Sequence, residues 1–217
     1  MRRYVDAHPV PIDLERDVDR TGTDERRSFC QGGPCYGMRM DDDPVLADAM
    51  ERLDRRYGLA GKRHHEPELD TILDEFVSRL RAAFGSLTSV RGKRILDLAS
   101  GSNTSRHPQT GRRTAVFEPW FSRLLLELGA KPVAIDLGDL ADEPFEHHRV
   151  DLGRPGALDF LPAASFDGVQ DSRLFGSPEF RSAYPGRADR VRVKAEIKRQ
   201  ERRLLRPGGV LIHTDEP

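Results

Sequence analysis

Only two of the 217 residues are cysteine, Cys30 and Cys35. Two thiols build no disulfide framework and fall short of the four ligands of a structural zinc site. They lie in Phe29-Cys30-Gln31-Gly32-Gly33-Pro34-Cys35-Tyr36, where a thiol pair in a flexible loop could bind metal or take part in redox chemistry. A plain surface loop is the simpler reading, since no third and fourth ligand stands out. Long apolar runs are missing as well. Nothing approaches the roughly 18–20 consecutive apolar residues of a membrane span. No apolar stretch follows Met1-Arg2-Arg3-Tyr4-Val5-Asp6 as it would in a secretory leader. The expectation is therefore a cytoplasmic protein with no membrane partner. Neither sign of charge is in excess, with 35 Lys and Arg against 36 Asp and Glu for a net charge of −1. Proteins that grip phosphate backbones usually carry a basic surplus, so nucleic acid is disfavoured and only a local basic patch is left open.

What the chain does have is charge at 33% of positions around a hydrophobic fraction of 37%. Its length suits one domain of about 100–200 residues with an extension. Residues 1–42 are densely and evenly charged, which predicts a charged arm or lid, partly irregular. Residues 43–89 predict two helices. Asp43 can cap the first and Pro44 suits its opening turn, ahead of an apolar stripe of Val45, Leu46, Ala49, Met50 and Leu53. The second follows Pro67, with Leu69, Ile72, Leu73, Phe76, Val77, Leu80 and Phe84 at helical spacing and Gly85 to stop it. Both precede the first convincing strand and are expected to pack on a sheet built later in the chain.

From Arg94 onward short β-rich runs alternate with helical ones. Strands are expected at Ile95–Leu98, Pro132–Leu137, Phe166–Gln170 and Val210–His213, with helices at Phe121–Leu128 and Lys194–Leu205. The alternation predicts βαβ units and a parallel sheet. The charged run Arg187–Arg203 retains a stripe of Val193, Ile197 and Leu204, as an outer helix with a solvated face should.

One segment carries chemistry. Arg94-Ile95-Leu96-Asp97-Leu98-Ala99-Ser100-Gly101-Ser102-Asn103 is an apolar strand running into a turn of small residues, which lets backbone approach a ligand. An amphipathic helix then ends at Gly129-Ala130 and leads into Pro132-Val133-Ala134-Ile135-Asp136. In a doubly wound sheet that strand sets Asp136 beside the first turn, where a carboxylate can accept both hydroxyl protons of a ribose.

With these residues in place, the chain resembles the class I S-adenosylmethionine-dependent methyltransferases over about residues 90–215. Ile95–Asn103 looks like their first motif and Gly129–Asp136 like their second-strand motif. His148-Arg149-Val150-Asp151-Leu152 resembles the end of the third strand and Ala164–Asp171 the fourth. Leu204-Leu205-Arg206-Pro207-Gly208-Gly209-Val210-Leu211-Ile212 resembles the fifth, read as a helix stopped by Pro207, a Gly-Gly turn and a strand. The resemblance implies a doubly wound, Rossmann-like α/β fold, mostly parallel, of strand order 3-2-1-4-5. It also implies S-adenosylmethionine as cofactor, held by Asp97, Ala99, Ser100, Gly101 and Ser102 on the first turn. Asp136 would take the ribose, Asp151 and Leu152 the adenine edge, and Leu137 and Gln170 would complete the cofactor-binding set. Asp171 is a candidate on the substrate side, or a cap for Leu174 and Phe175.

The departures are specific. Ala99 and Asn103 stand where the family turn has glycine; asparagine tolerates a left-handed backbone, and alanine leaves slightly less room against the methionine moiety. The stretch 104–116 exceeds the ~2–6 residues of an ordinary βα loop. It holds Arg106, His107, Arg112 and Arg113, and so could form a lid or a recognition loop. The usual last two strands are not evident, and an exposed sheet edge would invite a homodimer. No catalytic base is identifiable. The Asn-Pro-Pro-aromatic signature of amino-group methyltransferases is replaced by Gln170-Asp171-Ser172-Arg173, which argues for a small-molecule acceptor. His64-His65 and His147-His148 could seed a metal site, but adjacent side chains diverge on a regular element and a solvated surface is favoured. The competing functions are a non-catalytic methyltransferase-like binding module and a nicotinamide-dependent oxidoreductase. The latter is disfavoured because the first turn lacks Gly-x-Gly-x-x-Gly spacing.

Overall fold

The computed structural model describes residues 43–107, 110–171 and 174–212. Cys30, Cys35, the charged segment 1–42 and His213 lie outside the described residues. Helix α1, Pro44–Tyr57, starts as its sequence predicts. The Asp43 carboxylate accepts from the amides of Val45 (3.0 Å) and Leu46 (3.3 Å) and receives Arg81 of the third helix at 2.9 Å. Those three donors outweigh partial burial and hold its carboxyl below the usual range. Gly58, at φ +64°, ends α1 and opens directly into α2, Leu59–His65, a short helix that the periodicity did not announce. Helix α3, Glu68–Phe84, buries Leu69, Ile72, Leu73, Phe76, Val77 and Leu80 on one stripe. Full burial of each such side chain stabilises the fold by about 1.5–3 kcal/mol.

Five strands follow: β1 Arg94–Leu98, β2 Lys131–Asp136, β3 Glu146–Arg149, β4 Phe166–Gln170 and β5 Leu205–Ile212. They form one sheet of order β3-β2-β1-β4-β5 in which every pair is parallel. Helix α4, Trp120–Glu127, joins α1–α3 and Ile95 in one core cluster. Helix α6, Arg187–Leu204, packs Val193, Ile197 and Leu204 into the other, with Leu96, Leu98, Val133 and Val169. A short α5, Pro178–Ala183, lies between β4 and α6. The two layers on opposite faces make the sheet doubly wound and Rossmann-like. The chain leaves β1 toward β2 and β3 but passes β4 toward β5, so the switch point falls between β1 and β4.

Two local readings change. The helix before β5 stops at Leu204, not at Pro207. Leu205 is already extended and pairs with Phe166. A residue preceding proline disfavours the helical region, so the turn is complete before Arg206. Pairing then resumes at Val210 opposite Gly168, and the Arg206–Gly209 stretch bulges out with Gly208 at φ +78°. Strand β3 ends at Arg149, which leaves Asp151 and Leu152 beyond it. No helix of the described residues is long and apolar enough to cross a membrane.

Candidate functional site

The turn after β1 is fixed on both sides by hydrogen bonds. The Ser100 amide donates to the Ile135 carbonyl at 3.2 Å and the Asn103 amide to the Asp139 carbonyl at 3.1 Å. The Gly101 amide donates to Asp136 Oδ2 at 2.9 Å, while Asp136 Oδ1 accepts from the Gly138 amide at 2.7 Å. On the far side the Ser102 amide donates to the Phe117 carbonyl at 3.0 Å. Gly101 has no substitute here. At φ +89°, a β-carbon on it would fall 2.1 Å from the Phe117 oxygen. Ala99 holds φ +56°, a left-handed conformation that costs a residue with a β-carbon about 1–2 kcal/mol. The asparagine expected to tolerate that conformation is not the residue that adopts it. The strained position is the alanine.

The candidate residues separate into three groups. Ala99, Ser100, Gly101 and Ser102 meet Asp136 and Leu137 at the carboxyl ends of β1 and β2. Asp151 and Leu152 reach the same edge, because the Val150 amide donates to the Asp136 carbonyl at 2.9 Å. The Asp151 carboxylate is turned back on its own loop, accepting from the Gly153 amide at 3.0 Å. Asp97 lies beneath the turn. Its carboxylate is buried and accepts from Ser122 Oγ, in the first turn of α4, at 2.7 Å. Burial, with the Asp136 charge nearby, pushes its pKa up to about 7. Gln170, opposite Asp97 in the β1–β4 register, is buried, and its Oε1 has no hydrogen-bond partner among the described residues. Asp171 is buried and ion-paired with Lys198 of α6, which also reaches Glu201 at 3.2 Å. Burial beside Asp171 pushes the Glu201 carboxyl up to about 7.

Each oxygen of Asp136 accepts one amide, and the two amides fix the direction of the carboxylate. Beside it Leu137 is 58% exposed, an apolar side chain left open next to a polar one.

The long β1–α4 connection is a small hairpin. Arg106 and Arg113 form an antiparallel bridge, the His107 amide donates to the Arg112 carbonyl at 2.8 Å, and Gly111 turns the chain at φ +66°. Glu66 anchors its base by accepting from Thr114 Oγ1 at 2.7 Å and the Val116 amide at 2.9 Å. Sequence reasoning missed Arg123, since an arginine in an amphipathic helix reads as a solvated position. The fold buries it instead. Its guanidinium bonds Glu118 (2.5 Å), Glu143 (2.7 Å) and Asn103 Oδ1 (2.6 Å), with Tyr57 and Trp120 against its faces. The paired histidines have ordinary partners. His147 Nδ1 lies 2.9 Å from the Phe145 carbonyl, and His148 pairs with Glu146 and meets the Phe160 ring edge-to-face. No protein-family model matches the chain, and no curated protein matches it.

Proposed function

We propose that the protein binds S-adenosylmethionine at the carboxyl edge of β1 and β2 and transfers its methyl group to a small-molecule acceptor. The observation that carries this reading is the Asp136 carboxylate, oriented by the Gly101 and Gly138 amides beside an open Leu137. In this reading Asp136 accepts the ribose hydroxyls and Leu137 supports the base. The 99–102 turn, strained at Ala99, holds the backbone against the remainder of the cofactor. When bound, the cofactor supplies an electrophilic methyl group on a sulfonium. The chain supplies alignment of the acceptor and exclusion of water. Asp97 holds the first turn of α4 in place under the site.

One observation favours the alternative of a non-catalytic binding module. Asp171, the carboxylate nearest the end of β4, is engaged with Lys198 and buried beside Glu201 rather than open to an acceptor. An acceptor that is already nucleophilic needs no base and reconciles this with methyl transfer. Calorimetric titration with S-adenosylhomocysteine tests the cofactor site, and turnover of labelled S-adenosylmethionine on an acceptor panel separates enzyme from module. Binding without turnover on any acceptor would favour the module.

A further inference from the structure

The β1–α4 hairpin sets two arginines directly opposite each other. Arg106 and Arg113 are bridge partners, so their side chains leave the same face of the ribbon. Like charges in that relation destabilise a pair unless something negative lies between them. Their guanidiniums donate only to backbone, Arg106 to the Gly111 carbonyl at 2.9 Å and Arg113 to the Asn103 carbonyl at 2.6 Å. Among the described residues no carboxylate forms an ion pair with Arg106, Arg112 or Arg113, and all three are exposed. In a chain whose charges otherwise balance, this is a concentrated positive group.

Of the three, Arg113 lines a cleft of about 550 Å³, together with Asn103, Lys62 and Tyr57. The lining acids are not equally available. Glu118 is consumed by Arg123 and Lys62, and Glu143 by Arg123. Asp142 is exposed, on the β2–β3 side of the cleft. Asn103 is the last residue of the β1 turn and is held from two directions, by Arg113 at its carbonyl and Arg123 at its side chain. A ligand seated on Arg113 would therefore lie one residue from the turn proposed to hold the cofactor.

We propose that the hairpin arginines Arg106 and Arg113 bind the oxyanion end of the acceptor, a small molecule carrying a phosphate or carboxylate group. This rests on the methyltransferase reading only for the word acceptor; the anion site stands on the hairpin alone. Guanidinium pairs suit such a group because each can donate two parallel hydrogen bonds to it. Asp142 disfavours a second negative group across the cleft, so the ligand's charge is confined to the hairpin end.

The test is calorimetric titration of the full chain with pyrophosphate and with citrate, in parallel with S-adenosylhomocysteine. Pyrophosphate, citrate or both should bind, and whichever binds names the phosphate or carboxylate source. Arg113→Glu and Arg106→Glu should each weaken that binding at least about tenfold. Arg106 is exposed and its side chain bonds only the Gly111 carbonyl among the described residues, so its variant is not expected to unfold the protein. Arg202→Glu, an exposed arginine on α6, should leave it within about twofold. Absence of binding by both anions, or an equal loss in the Arg202 variant, overturns the proposal. A single-stranded 12-nucleotide DNA that binds about tenfold more tightly than pyrophosphate, with a steep salt dependence, overturns the small-molecule ligand in favour of nucleic acid. Homocysteine-nucleoside binding without anion binding removes this site and leaves the methyltransferase reading. The reverse removes the methyltransferase reading and leaves the anion site.

Discussion

The amide of Gly101 and the carboxylate of Asp136 lie 2.9 Å apart although 35 residues separate them in the chain. That bond joins the turn of β1 to the end of β2, and the Gly138 amide on the other oxygen fixes the carboxylate's direction. A charge-assisted bond of this kind contributes about 1.5–3 kcal/mol. It ties the carboxyl ends of β1 and β2 together.

Gly101→Ala should be among the most damaging single substitutions in the described chain. Its β-carbon would meet the Phe117 oxygen at 2.1 Å in a backbone conformation that alanine rarely adopts. We expect a loss of at least about 2 kcal/mol in urea unfolding. A midpoint unchanged from the parent protein would show that the turn is not held as described.

Ala99→Gly should act in the opposite direction. Relief of the left-handed strain, about 1–2 kcal/mol, exceeds the added chain entropy of glycine, about 0.4–1 kcal/mol. The net expectation is a rise of about 0.5–1 kcal/mol with an unchanged denaturant slope. A drop in stability would contradict the φ of +56° at this position.

Asp97 predicts a pH dependence of definite sign. Its carboxyl is raised from about 3.8 to about 7 in the folded chain, so between those values the native state holds a proton that the unfolded state has released. Stability from this group is present below pH 4 and is lost as pH rises toward 7, at up to about 1.4 kcal/mol per pH unit. Asp97→Asn keeps an oxygen for Ser122 and removes the titration. The variant should therefore gain on the parent from pH 4 to 7 and level off above. A stability difference that does not change with pH would rule out the buried acid. Glu201, raised to about 7 as well, adds a parallel fall that Glu201→Gln would remove.

Arg123 should be indispensable to folding despite its charge. Arg123→Met leaves Glu118 and Glu143 buried beside an apolar side chain, which we expect to cost about 3–5 kcal/mol. Arg123→Lys should recover only part of this, because an ammonium cannot span Glu118, Glu143 and Asn103 as the planar fork does. Denaturant unfolding of the two variants checks the order.

Elements governed by periodicity and caps were legible in the sequence. Asp43, Pro44 and Gly85 bounded helices that form at those limits, and the β-rich runs marked four strands of the parallel sheet, whereas β3 and the order 3-2-1-4-5 came from the family resemblance. Features set by tertiary contact were not. Short α2 follows from Gly58 turning left-handed between two helices, which no stripe records. The bulge at Arg206–Gly209 follows from pairing with β4, whereas the local reading of Pro207 and Gly208 gave a simple turn. In the candidate site, Asp136 and the small-residue turn were readable because a strand fixes where its last residue points. The Lys198 pairing of Asp171 and the burial of Arg123 were not, since Lys198 and Glu143 reach them from other elements of the fold. The hairpin arginines were visible as an insertion, but their opposition across a bridge depends on the hairpin register.

The central claim is that Asp136 presents its carboxylate to a ribose. Its most direct test is calorimetric titration of the purified full chain with S-adenosylhomocysteine, alongside Asp136→Ala, Asp136→Asn and an NADH control. The account predicts a Kd of about 1–100 μM for the parent chain, weakened at least about tenfold in both variants, with no heat from NADH. Absence of heat at millimolar S-adenosylhomocysteine, or an affinity unchanged in folded Asp136→Asn, would contradict it.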